Sequence, residues 1–139
     1  MEEISIEVGL DIVEIERVKK VYERHKTFIE RIFSIDERSQ IRTKKNIFPS
    51  LAAHFAAKEA FIKAMGGKYP GWCWRDVEIL YGLNGKPEIR LKNKALEMAL
   101  QKRVKEVKVS LSHTNKYAVA IVILTIKGES NEGKSIREA

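Results

Sequence analysis

Cysteine is the scarcest informative residue in this chain: Cys73 stands alone among 139 residues. A single thiol excludes an intramolecular disulfide and an all-cysteine zinc site. It lies between Trp72 and Trp74 with no second element of a cysteine catalytic apparatus beside it, so it reads as a packed thiol. Long apolar runs are also missing, and none approaches the roughly 18 residues that would cross a bilayer. Met1-Glu-Glu-Ile has no basic segment leading into an apolar one, so the expected location is cytoplasmic, with no membrane partner. Neither GxxxxGK[ST] nor GxGxxG occurs, so any nucleotide site must be built differently.

Hydrophobic residues make up 44% and charged residues 32%, a globular composition for one domain with a real core. The formal net charge of +7 calls for an acidic partner. Nucleic acid, anionic lipid, a nucleotide and an acidic protein all meet that description. A nucleic-acid module would interleave basic residues with exposed aromatics. Here the basic residues are dispersed and the aromatics sit mostly at core-period positions, so no nucleic-acid partner is expected.

Ile4, Ile6, Val8 and Leu10 alternate with Ser5, Glu7, Gly9 and Asp11, the period of a half-buried strand with its apolar face inward. Asp11 then falls on the opposite face, with Gly9 leaving space beside it. Two readings of Asp11 stand: a carboxylate placed to meet a ligand, or the cap of the next helix. That helix is expected over 13–24, with Ile15, Val18 and Tyr22 inward. Arg17, Lys20 and Arg24 form a basic stripe, either a solvated face or a docking strip for an acidic helix.

Ser34-Ile-Asp-Glu37 has the capping-box form and opens a short helix ending near Arg42. The central stretch, 53–64, places alanine and phenylalanine at helical spacing, and Gly66-Gly67 stops it. The loop 68–74 carries turn formers and both tryptophans. A strand over 77–81, an Asn84-Gly-Lys-Pro87 turn and a strand over 88–91 read as a hairpin. A helix follows over 95–104, with Leu96, Ala99, Leu100 and Val104 inward. Strands over 107–113 and 117–126 complete the order, the last apolar enough for a sheet centre. The expected class is α+β, a mainly antiparallel sheet packed against a long central helix. Residues 1–127 form the domain and 128–139 a flexible C-terminal tail.

Lys58, Glu59 and Lys63 stand out against the apolar central helix. Glu59 and Lys63, four apart, form either an ordinary ion pair worth about 0.2–0.5 kcal/mol or part of a site. A carboxylate among alanine and phenylalanine needs a strong partner, and a metal ion is one candidate. Asp11 and Glu59, from distant elements, could converge on magnesium, which takes one or two protein carboxylates and completes its shell with water and substrate phosphate.

Gly9-Leu-Asp-Ile-Val-Glu-Ile-Glu-Arg17, Phe55-Ala-Ala-Lys-Glu-Ala-Phe-Ile-Lys63 and Ser110-Leu-Ser-His-Thr114 together resemble the holo-[acyl-carrier-protein] synthase family of 4′-phosphopantetheinyl transferases. The resemblance covers residues 4 to about 126, and the segment 31–37 shares in it. It implies transfer of phosphopantetheine from coenzyme A to a serine of acyl carrier protein, in fatty acid biosynthesis, with release of adenosine 3′,5′-bisphosphate. It further implies that Asp11 and Glu59 hold Mg2+ against the diphosphate and that Lys63 contacts the phosphates. Glu59, directly or through a water, would accept the serine proton. Gly85, Lys86, Pro87 and His113 match positions that line the coenzyme A site. Arg17 and Arg24 match positions that face the carrier protein, and the family forms homotrimers with sites between subunits. A related transferase serving a peptidyl or polyketide carrier is the neighbouring alternative. One departure stands out: the family has arginine where this chain has His54, which makes a phosphate contact weaker, pH-dependent or reliant on Arg42, Lys44 or Lys45.

Overall fold

The computed structural model describes residues 3–67 and 71–128. The chain runs β1 (Ile4–Glu14), α1 (Ile15–Arg24), α2 (Phe28–Ile32), α3 (Ile35–Arg42) and α4 (Phe48–Ala64). A 3-10 turn (Trp74–Asp76) leads to β2 (Val77–Tyr81), β3 (Pro87–Leu91), α5 (Asn93–Gln101), β4 (Val104–His113) and β5 (Tyr117–Lys127). Three strands form an antiparallel sheet in the order β1-β5-β4, and β2-β3 is a separate antiparallel hairpin. The α+β class therefore holds, with β5 at the sheet centre as its apolar sequence predicts.

Helix α4 is the packing partner of that sheet. Its apolar residues fall on nearly every side, as in a helix largely enclosed by protein, with Lys58, Glu59 and Lys63 the charged exceptions. Ala56, Ala57, Ala60 and Ala64 are all buried and present almost no side chain, so strand backbone comes close. Gly9 is where it comes closest: a Cβ there would lie 1.8 Å from the Ala60 carbonyl oxygen. The space expected beside Gly9 is thus filled by α4. The helix ends at the expected glycines, with the Gly67 N–H donating to the Ile62 carbonyl at 2.9 Å.

The sense of β1 is the reverse of the expectation. Its alternation is real, but Ile4, Ile6, Val8, Leu10 and Ile12 face outward and are 45–62% exposed. Gly9 is buried and Asp11 partly so, because their face is the one against α4. Period-2 alternation identifies two faces without saying which one the protein covers. The strand also continues to Glu14, so α1 begins at Ile15 and Asp11 is not its cap.

Smaller differences follow the same logic. In α5 the inward residues are Ala95, Met98 and Ala99, whereas Leu96 and Leu100 are exposed. Val104 belongs to β4 and not to the helix. The capping box at Ser34–Glu37 forms as expected, with Glu37 N–H donating to Ser34 Oγ at 3.2 Å and Ser34 N–H to Glu37 Oε1 at 3.0 Å. Gly128 N–H donates to the Glu3 carbonyl at 2.7 Å. Most of the expected tail, 129–139, and the loop residues 68–70 lie outside the described residues. Among the described residues no helix is long and apolar enough to cross a membrane.

Candidate active site

Lys58 and Glu59 are consecutive on α4 and leave the helix about 100° apart, so their surroundings differ. Lys58 is fully buried. Its ammonium donates to Glu37 Oε1 at 2.8 Å, to the Trp74 carbonyl at 3.2 Å and to the Val77 carbonyl. Glu37, also fully buried, accepts from Ile79 N–H at 3.1 Å and from His54 Nδ1–H at 3.4 Å. Burial alone would raise the Glu37 carboxyl. The His54 hydrogen bond, the Lys58 charge and the Lys58 hydrogen bond outweigh it and hold the group below the ordinary carboxylate range. This closed network ties α3, α4 and β2 together. Sequence reasoning missed it by assigning Glu37 to the capping box alone; the signal was Lys58, a lysine set in an apolar helix.

Glu59 opens instead onto a cleft of about 570 Å3 between β1, α1 and α4. Asp11, Glu14 and Arg17 share its walls, with Phe28, Phe55 and Tyr117. The carboxylates of Asp11 and Glu59 do converge there. The Glu59–Lys63 ion pair does not form: Lys63 Nζ donates to Asp11 Oδ1 and to the Leu10 carbonyl, each at 3.0 Å. Glu59 makes no hydrogen bond or ion pair with any described residue. Burial raises its carboxyl pKa, the nearby Asp11 charge raises it further, and Lys63 offsets this only in part.

Asp11, Glu14 and Glu59 thus bring three carboxylates to one cleft against Arg17 and the half-exposed Lys63, a local excess of negative charge that favours a divalent cation. Among the described residues no group of three or more Asp, Glu, His or Cys side chains is disposed to hold a metal. An ion bound by Asp11 and Glu59 would take its other oxygens from water and phosphate, the usual manner of magnesium, so the residues fit it.

The other expected site residues lie elsewhere. Arg17 borders the cleft, and Arg24 is exposed in the last turn of α1. Gly85 and Lys86 lie in the β2–β3 turn and Pro87 opens β3; Gly85 takes a positive φ of 81° and its N–H donates to the Gly82 carbonyl at 2.9 Å. His113 is exposed at the end of β4, with Nδ1 3.3 Å from the Thr114 carbonyl. None of Gly85, Lys86, Pro87 and His113 lines the cleft. His54 is fully buried and turned toward Glu37, so it offers no nitrogen to a phosphate outside. Burial depresses its pKa despite the Glu37 carboxylate, which keeps the ring neutral. Lys44, nearby, lies over the Tyr81 ring, 4.9 Å from its centre.

Residues 7–122 match the model of the 4′-phosphopantetheinyl transferase superfamily. This chain belongs to that superfamily. Over 128 residues it is 45% identical to the holo-[acyl-carrier-protein] synthase of Caldanaerobacter subterraneus subsp. tengcongensis, covering 92% of this chain and all of the relative. The synthase of Chloroherpeton thalassium is 43% identical over 121 residues, 86% of this chain and 97% of its own. Among solved structures, the Helicobacter pylori synthase in complex with coenzyme A superimposes with a TM-score of 0.74 at 30% identity, covering 84% of this chain and 98% of that one. The Bacillus anthracis synthase, in complex with CoA (3′,5′-ADP), gives a TM-score of 0.73 at 30% identity, with 89% and 99% covered. The transferase superfamily thus accounts for nearly the whole sheet and for α4, the elements that carry Asp11, Glu59 and Lys63.

Proposed function

We propose that this chain transfers 4′-phosphopantetheine from coenzyme A to a serine of apo acyl carrier protein, with Asp11, Glu59 and Lys63 as its working residues. The reading rests on one observation: carboxylates from β1 and α4 open on the same cleft, under-neutralised, within a chain whose relatives are holo-[acyl-carrier-protein] synthases. Asp11 and Glu59 would hold Mg2+, which when bound neutralises diphosphate charge and stabilises the departing phosphate. In the transfer, the serine hydroxyl oxygen forms a bond to the phosphorus next to pantetheine. The bond from that phosphorus to the bridging oxygen breaks, and adenosine 3′,5′-bisphosphate leaves. Glu59, with its pKa raised by burial and by Asp11, is suited to accept the serine proton. Lys63, 53% exposed, can leave Asp11 for the developing charge on the leaving phosphate.

Arg17, at the cleft, and Arg24, farther along the same helix, would meet the acidic surface of the carrier. The bare face of β1, five aliphatic side chains in a row, is the natural subunit interface of a homotrimer. Such an assembly would bring Gly85, Lys86, Pro87 and His113 of one subunit toward the cleft of another to line the coenzyme A site. Intact-mass analysis of an apo acyl carrier protein, incubated with this protein, coenzyme A and magnesium, tests the reading. A gain of one phosphopantetheine that a chelator abolishes is expected. Failure to modify any of several apo carriers would overturn it.

A further inference from the structure

A second concavity lies where α1, α2, α3 and the start of α4 meet, and it shares no lining residue with the Asp11–Glu59 cleft. Its volume is about 460 Å3, and its walls are Tyr22, Ile29, Ile41 and Leu51. Ile35 stands on its lip with 70% of its surface exposed. An aliphatic groove of this kind costs free energy while water fills it.

The charge at its edge is equally unsatisfied. Arg38 and Arg42, four residues apart on α3, both border the groove and lie on one face of the helix. Neither has a carboxylate partner among the described residues. The acids of α3 are committed elsewhere: Asp36 to Arg90 at 2.8 Å and Glu37 to Lys58 at 2.8 Å. Arg38 Nε is buried with no hydrogen-bond partner. Arg42 Nη2 reaches Ser39 Oγ at a long 3.5 Å. A buried guanidinium N–H without an acceptor is uncommon in a native protein and points to an acceptor supplied from outside.

Aliphatic walls select hydrocarbon, and two uncommitted guanidinium groups select a planar or tetrahedral oxyanion. The volume lies in the small-ligand range, which favours a single chain over a docked helix needing several consecutive turns. We propose that this groove binds a single-chain anionic amphiphile. Its alkyl chain lies along Ile29, Ile41 and Leu51, and its carboxylate or phosphate head is held by Arg38 and Arg42. This site shares no residue with the Asp11–Glu59 cleft, so it stands or falls separately from the assignment of Asp11, Glu59 and Lys63.

Isothermal titration of the full-length protein with decanoate and with decyl phosphate, below their micelle concentrations, tests the proposal. Acetate, inorganic phosphate and 1-decanol serve as comparators. Saturable binding of one charged amphiphile per chain is expected, with decanol and the isolated anions at least tenfold weaker. Whichever of decanoate and decyl phosphate binds more tightly identifies the head group. The Arg38→Gln/Arg42→Gln double variant should lose at least tenfold in affinity, and Ile35→Ser, at an exposed position, should weaken binding without disturbing the fold. A spin-labelled fatty acid should broaden the Ile35 and Leu51 methyl signals. Undiminished binding in these variants, broadening confined to Ile4–Ile12 on the bare sheet face, or no saturable binding would each overturn the proposal. So would capture of an acidic amphipathic peptide that decanoate does not displace.

Discussion

Lys58 and Glu59 are neighbours in sequence, on one helix, and they serve opposite purposes. Lys58 ends in an enclosed network in which Glu37 receives donors from α3, α4 and β2. Glu59 ends at a cleft beside a second carboxylate, with its charge unmatched. Satisfied buried charge fixes the arrangement of elements and contributes nothing to chemistry. Unsatisfied charge at a cleft weakens the fold slightly and is available to a ligand, which is the general relation between perturbed titration and function.

Breaking the closed side should have the largest effect on stability. Lys58→Met leaves Glu37 buried without its cation and should cost about 3–5 kcal/mol in urea denaturation. The acid limb sharpens the point. Glu37 is held below the ordinary range near 4.5, so its contribution is present above that pH and is lost as pH falls through the folded value. The variant should lose this acid-side dependence.

Disturbing the seam between the two regions comes next. Gly9→Ala forces β1 away from the Ala60 carbonyl and should cost about 3 kcal/mol. Because Asp11 lies two residues further along that strand, transfer activity should fall in the same variant beyond what the lost stability explains. A Gly9→Ala protein of full stability and activity would show that β1 does not approach α4 this closely.

His54 supplies the smallest test. Burial keeps its ring neutral in the fold, while an unfolded histidine titrates near 6.5, so stability should decline as pH drops below that value. His54→Gln, which retains a donor for Glu37, should flatten that decline. Chemical denaturation between pH 7 and pH 5 would register it, and identical slopes would contradict the buried placement. Val8→Lys probes the remaining open surface. On the exposed β1 face it should abolish the proposed homotrimer, as read by sedimentation, while leaving the chain folded.

Much of this arrangement was legible in the residues. The central helix, the capping box at Ser34, the hairpin and the apolar strand β5 all carry local signals that tertiary packing reinforces. The superfamily motifs also pointed to Asp11 and Glu59, whose carboxylates do open on one cleft. What was not legible depended on partners distant in sequence. The alternation in β1 gave its two faces but not their sense, because an outward row of isoleucines needs something outside the chain to explain it. Gly9 looked like free space, whereas only the alanine face of α4, about fifty residues away, reveals it as a close approach. Glu37 satisfied a local capping rule so well that its long-range bonds to Lys58, His54 and Ile79 were signalled only by Lys58, a lysine set among apolar residues. The i,i+4 spacing offered Lys63 only Glu59, on its own helix, whereas its partner is Asp11, on the strand face packed against that helix.

Glu59→Gln is the most direct test of the division between the two charges, provided stability and transfer are measured on the same preparation. Glu59 has its pKa raised in the fold, so its favourable contribution is present at low pH and lost as pH rises through the folded value. At neutral pH the glutamine variant should therefore be slightly more stable, the gain kept small by solvent screening at the open cleft. The proposed transfer to apo carrier protein, assayed with magnesium present, should meanwhile fall by about 10²–10⁴-fold. A variant that loses stability, or one that transfers at the original rate, would contradict the assignment of Glu59 to the site.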